Sequence, residues 1–129
     1  MIQNAPTGEQ IEFEVRTPEI LVMHSTWTRT GNRAVEHAHP EMEERFEILE
    51  GKAAFRIGGE ERTASAGEVV VVSAGTPHLA WNPSDGPVRL RITMTPALRW
   101  AEFTERLFTG EDPVALLRQF AREVILVAR

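Results

Sequence analysis

The segment Gly31-Asn32-Arg33-Ala34-Val35-Glu36-His37-Ala38-His39-Pro40-Glu41-Met42-Glu43-Glu44-Arg45-Phe46-Glu47-Ile48-Leu49-Glu50-Gly51 decides how this chain reads. One residue separates His37 from His39, so on an extended strand both imidazoles point to the same face. Pro40 ends that strand, and the acidic residues Glu41, Glu43 and Glu44 follow it with a carboxylate to offer. Much later, Gly75-Thr76-Pro77-His78 brings a third imidazole out of a glycine–proline turn. Three neutral nitrogens with one carboxylate oxygen suit divalent Fe, Mn, Ni, Co, Cu or Zn, with positions left open for water or substrate. A lone His-x-His is weak. Its spacing to the rest of the chain is what counts.

Outward from this segment, the chain reads as short strands up to Pro96 and as helix after it. Ile11 to Val15 alternates with Glu12 and Glu14, which predicts a half-exposed strand. Ile20 to Thr30 is rich in β-branched residues and stops at the turn signal Gly31-Asn32. Arg45 to Leu49 and Ala53 to Ile57 flank Glu50-Gly51-Lys52, and Gly58-Gly59 turns the chain again. Val69 to Val72 reads as a run buried on both faces, and Leu79 to Asn82 leads into the loop Pro83 to Pro87. Val88, Leu90, Ile92 and Met94 alternate with polar neighbours in what reads as the last strand. Strands this short and evenly spaced predict an all-β sandwich or barrel.

Thr95-Pro96 supplies a helix start, with Leu98, Ala101 or Phe103, Leu107 and Phe108 at helical spacing before Gly110. Asp112-Pro113 repeats the signal, with Leu117, Ala121, Val124 and Ala128 as a second apolar stripe. Two short amphipathic helices covering one end or face of the barrel are expected, their aromatics serving as packing.

The net charge of −5 creates no basic field for nucleic acid or anionic lipid. No apolar run approaches the roughly 20 residues that span a bilayer, and the N-terminus lacks the pattern of a signal peptide. Cytoplasmic localisation is the expectation. With no cysteine, any metal has to be held by His and carboxylate. Length and a 42% hydrophobic fraction fit a single domain over residues 1–129, with a barrel over about 10–95 and helices over about 96–128.

The spacing Gly31, five residues, His37-x-His39, four residues, Glu44, six residues, Gly51 resembles the first motif of the cupin superfamily. Gly67, five residues, Ser73-Ala74-Gly75, two residues, His78, three residues, Asn82 resembles its second. The fifteen residues between them match the short spacer of small single-domain bacterial cupins. The family usually has proline where this chain has Ser73, a residue that shapes a turn and ligates nothing. The resemblance implies a cupin β-barrel (a double-stranded β-helix, or jelly roll) with the two C-terminal helices appended. It implies one divalent transition metal on His37, His39, Glu44 and His78, a structural position for Asn82, and a homodimer.

The motif tolerates a gap that also admits Glu43. Alternation separates the two: Glu44 shares a face with Phe46 and Ile48, whereas Glu43 shares one with Arg45 and Glu47. Glu44 is therefore the inward residue. The expected pocket lining is apolar: Phe46, Ile48, Ala53, Phe55, Ile57, Leu90, Ile92 and Met94. His24, outside both motifs, reads as a surface histidine, and Trp27 and Trp81 fit either the barrel mouth or a subunit contact. The expected ligand is a small organic molecule with a chelating end and an apolar body. A metal-dependent enzyme, with oxidative cleavage leading over isomerisation and decarboxylation, stands beside a non-catalytic ligand-binding cupin and a barrel whose ion is structural.

Overall fold

The computed structural model describes residues 1–31 and 35–127. The turn residue Asn32 and the stripe residue Ala128 lie outside them. The elements, in chain order, are β1 (Ile2–Gln3), β2 (Gln10–Arg16), β3 (Leu21–Trp27), β4 (His37–Ala38), β5 (Glu43–Glu50), β6 (Lys52–Ile57), β7 (Glu60–Ser65), β8 (Val69–Val72), β9 (His78–Trp81), β10 (Val88–Thr95), α1 (Trp100–Phe108), α2 (Pro113–Gln119) and β11 (Ile125–Leu126). Two antiparallel sheets face each other, ordered β1-β2-β3-β10-β5-β8 and β11-β4-β9-β6-β7. The fold is all-β, a jelly roll with two helices appended.

Glu50-Gly51-Lys52 does not make a hairpin; it carries the chain from one sheet to the other, since β5 pairs with β10 and β8 while β6 pairs with β7 and β9. Gly51 is required there twice over. Its φ is +82°, and a Cβ would lie 2.5 Å from the Pro87 carbonyl oxygen. Gly58-Gly59, both at positive φ, forms the two-residue turn between β6 and β7 that such residues favour.

Alternation along β5 matches the reading from sequence: Glu44, Phe46 and Ile48 are buried, Glu43 is exposed and Arg45 and Glu47 are half-buried. The Val69 to Val72 run corrects the expectation. β8 is an edge strand with only one face on the core, so Val70 and Val72 are buried while Val69 and Val71 are 41% and 48% exposed. The interior between the sheets is filled by such residues as Phe46, Ile48, Phe55, Leu90, Ile92 and Met94, with the Phe46 and Phe55 rings edge to face at 5.1 Å.

The C-terminal region departs most from the sequence reading. Pro96 does not start a helix. Leu98 adopts a left-handed φ of 51°, its N–H donates to the Pro18 carbonyl, and α1 begins only at Trp100. Asp112 does cap α2, accepting from the Val114 N–H, with Pro113 in the first turn. That helix stops at Gln119, however, and Val124 belongs to a turn packed on Phe103, Leu116 and Phe120 rather than to a helical stripe. The chain then adds β11, which pairs with β4. β10 is therefore not the last strand, and the sheets extend beyond residues 10–95 at both ends.

Candidate functional site

β4 is only two residues long, yet it sits between β9 and β11, with His37 opposite His78 across one pair and opposite Leu126 across the other. Main-chain bonds clasp the two halves of the site: the Gly75 N–H donates to the His39 carbonyl, and the Gly31 N–H to the Asn82 carbonyl. Asn82 is buried, and its side chain makes four hydrogen bonds, donating to the Trp27 and Gly86 carbonyls and accepting from the Ser84 N–H and hydroxyl. It holds the loop that delivers β10 and has no place among the ligating atoms.

His37, His39 and His78 each offer one nitrogen, and these lie within 4.8 Å of one another. In each imidazole, Nδ1 meets a main-chain carbonyl: His37 on Val35 at 2.8 Å, His39 on Glu123 at 2.8 Å and His78 on Thr76 at 2.9 Å. A carbonyl only accepts, so Nδ1 carries the proton in all three and Nε2 is left to face the common point. Glu44 approaches from one side, its Oε1 3.0 Å from His78 Nε2 and 3.2 Å from His39 Nε2. The structure thus brings together all four residues singled out from the sequence, with Glu44 against two of the three imidazoles.

The electrostatics follow from burial and crowding. Burial, and then the neighbouring His78 and His39, push the His37 imidazole down to about 4. Burial works against charge on Glu44, but the approach of His39 and the hydrogen bond from His78 hold it well below the usual carboxylate range. Burial also opposes charge on His78, and its partner Glu44 outweighs that and raises it. His39 Nε2 is buried with no hydrogen-bond partner, and orphaned buried polar atoms are uncommon in folded proteins. A cation among these nitrogens would satisfy that atom and replace the proton shared by His78 and Glu44. The donor set, three Nε2 atoms and a carboxylate, could hold a divalent transition ion.

A cavity of about 510 Å³ opens on His37, Glu44 and His78. Of the lining expected from sequence, Phe46 and Ile92 border it. Ile48, Ala53, Phe55, Leu90 and Met94, at most 2% exposed, fill the interior instead, and Ile57 packs against that core without bordering the cavity. Alternation reports which face a side chain takes, not how far along a strand the sheets stay filled. Trp27 and Trp81 line the cavity, whereas His24 sits apart, 2.7 Å from Glu14.

Two groups of wall residues escaped the sequence reading. One is the C-terminal region: Trp100, Phe103, Leu107 and Leu117 border the cavity, and the Trp100 ring meets His39 edge-on at 4.7 Å. Their apolar helical spacing is what core packing also produces, so the pattern could not separate the two roles. The other is Glu9, a further carboxylate on the cavity wall, with no motif around it.

The cupin domain family model matches residues 28–95, just over half of the chain. The chain belongs to the cupin family. Similar solved structures include an RmlC-like cupin from Shewanella frigidimarina (TM-score 0.66, 21% identity, covering 75% of this chain and 84% of that one). KdgF from Halomonas sp. is also similar (TM-score 0.63, 19% identity, 74% and 86%). So is a sugar phosphate isomerase from Silicibacter pomeroyi (TM-score 0.54, 21% identity), although this cupin spans only 50% of that chain. At these identities the likeness concerns the fold. No curated protein matches the chain. Among the described residues, no helix is long and apolar enough to cross a membrane.

Proposed function

We propose that this cupin holds one divalent transition metal on His37, His39, His78 and Glu44, and acts there on a small chelating organic molecule with an apolar body. One observation carries the reading: each Nδ1 is committed to a main-chain carbonyl, so the three Nε2 atoms are turned to a common point beside Glu44, that of His39 buried without a hydrogen bond. Fixing the second nitrogen in this way is how proteins orient metal-ligating histidines. The ion, among Fe, Mn, Ni, Co, Cu and Zn, would supply Lewis acidity or a platform for dioxygen.

The chain's own part is to bind and orient the substrate. Phe46, Ile92, Trp27 and Trp100, which line the cavity, take the apolar body. The reaction class proposed is dioxygenase-like, or an isomerisation or decarboxylation of the same kind of molecule. The name of the sugar phosphate isomerase neighbour lends isomerisation support, but the mainly apolar wall is better suited to a less polar molecule than a sugar phosphate. The second reading is metal-dependent binding without turnover, since none of the four site residues is free of the ligand set to act as acid or base.

Elemental analysis of protein purified without chelators is expected to give about one metal per chain. A value near zero, unrestored by adding Fe, Mn, Ni, Co, Cu or Zn, would overturn the site. Oxygen uptake and product analysis with chelating substrates then separate turnover from binding.

A further inference from the structure

Glu9 is a carboxylate built into the cavity wall. Its Oε2 accepts from the Ser25 hydroxyl at 2.6 Å and from the Trp27 indole N–H at 3.2 Å, and Ser25 is itself 1% exposed. Its main chain is pinned as well, the N–H donating to Thr7 Oγ1 and the carbonyl accepting from the Asn4 N–H. The side chain therefore has one orientation, with Oε2 fully engaged. Its other oxygen, Oε1, has no hydrogen-bond partner among the described residues, although Glu9 borders the same cavity as His37, Glu44 and His78.

A purely structural role accounts for Oε2 only. The Trp27 indole N–H is shared with Ser25 Oγ at 3.1 Å, so the pair needs one acceptor, and a neutral amide would supply it at lower cost than a carboxylate on a mainly apolar wall. Burial pushes this carboxyl up, against the lowering effect of Ser25 and Trp27, and the nearby Glu44 charge adds to the rise. Glu9 is only half-buried, so Oε1 is open to the cavity, where a ligand group can complete the carboxylate's hydrogen bonding.

We propose that Glu9 Oε1 is the second polar anchor of the cavity, and that it selects ligands carrying a hydroxyl on the apolar body, away from the chelating end. A hydroxyl suits this position because it donates to a carboxylate and accepts from a carboxylic acid. An anionic group does not suit it, since Glu9 and Glu44 both border the space. Among the described residues, the one guanidinium on this wall is that of Arg29, and its Nη1 is committed to the Ala5 and Pro6 carbonyls. The assignment rests on the metal reading above only for the direction in which the ligand's chelating end points.

The test is calorimetric titration of Zn-loaded protein at pH 8 with 4-methylcatechol, 3,4-dihydroxybenzyl alcohol and 3,4-dihydroxybenzoate. These probes present a methyl, a hydroxymethyl and a carboxylate on one chelating frame. Each affinity is taken relative to the methyl compound within one protein, so differences in chelate strength cancel between wild type and variant. Wild type is expected to prefer the alcohol by roughly ten-fold and to disfavour the carboxylate. In Glu9→Leu the alcohol preference falls to about one. In Glu9→Gln, which keeps an acceptor for Ser25 and Trp27, the amide N–H removes the bias against the carboxylate.

Unchanged ratios in both folded variants overturn the proposal and leave Glu9 serving Ser25 and Trp27 alone. If Glu9→Leu does not fold, the carboxylate ratio in Glu9→Gln decides. A metal-free arm compares 4-methylbenzyl alcohol with p-xylene. A preference for the alcohol that depends on Glu9, in protein that takes up no metal, means that the metal reading has failed while this one stands. No binding of the alcohol probes in either form overturns the assignment.

Discussion

The Nδ1–H of His39 donates to the main-chain carbonyl of Glu123 at 2.8 Å, across 84 residues of sequence. This bond makes the C-terminal segment part of the candidate metal centre. The segment is anchored on both sides of it: the Glu123 carboxylate accepts from the Arg99 N–H, and β11 pairs with the very strand that carries His37. Removing residues 121–129 keeps the buried Phe120 but takes away the carbonyl and β11. Loss of such an outer partner is expected to weaken metal binding by roughly 10- to 100-fold, measured by competition with a chelator of known affinity. Unchanged affinity in the shortened chain would show that His39 is oriented without Glu123.

Asn82 marks the end of the second motif by structure rather than by ligation. Its two amide hydrogens meet the Trp27 and Gly86 carbonyls, and its oxygen takes both donors of Ser84. Asn82→Asp presents oxygen to one or both of those carbonyls in a buried position, so a loss of about 2–4 kcal/mol is expected from chemical denaturation. Metal content of the folded fraction stays the same. A variant as stable as wild type would remove Asn82 from the framework.

What could be read in the sequence was what period and spacing encode. Alternation along 43–50 places Glu44 inward because β5 has one face on the core and one outside, and period 2 leaves no other register. The same logic misjudged Val69 to Val72, where four valines in a row hide the alternation that an edge strand imposes. Pro96 and Val124 depart from the helical pattern for a different reason. Local helix signals compete there with tertiary contacts, the Leu98 N–H going to Pro18 and the Val124 side chain to Phe103 and Phe120. Glu9 carried no signal at all. Its partners Ser25 and Trp27 lie on β3, 16 and 18 residues away, and their meeting is a product of the fold alone.

The metal-free protein should lose stability in acid partly through His37. Its folded value of about 4 lies below the ordinary 6.5, so between these values the unfolded chain binds more protons than the folded one. The contribution is complete above pH 6.5 and is lost as pH falls through 4, up to roughly 2–3 kcal/mol. Glu44, held low, acts in the same direction at still lower pH. His78, raised by Glu44, acts in the opposite direction, above pH 6.5. Denaturation midpoints in EDTA from pH 7 to 4 should fall more steeply for wild type than for His37→Gln. Parallel profiles would mean that His37 titrates normally.

The sharpest contrast lies between two adjacent glutamates. Glu44 is 7% exposed, with its Oε1 beside His39 and His78, whereas Glu43 is exposed on the other face of β5. Replacing each with alanine removes the same charge from neighbouring positions, so any general effect of charge cancels in the comparison. Glu44→Ala is expected to lose most of its metal, although three imidazoles still converge and retain a weakened site. It also leaves His78 without its buried counter-charge, which lowers the imidazole's tendency to hold a second proton. Glu43→Ala is expected to keep its metal content and to stay within about 0.5 kcal/mol of wild type in stability. Elemental analysis of the two proteins side by side decides between them. Full metal in Glu44→Ala would reduce the site to its three histidines and assign the carboxylate to pairing with His78. Loss from Glu43→Ala instead would place the anionic ligand on the outer face of the strand, against the burial of Glu44, Phe46 and Ile48 on its inner face.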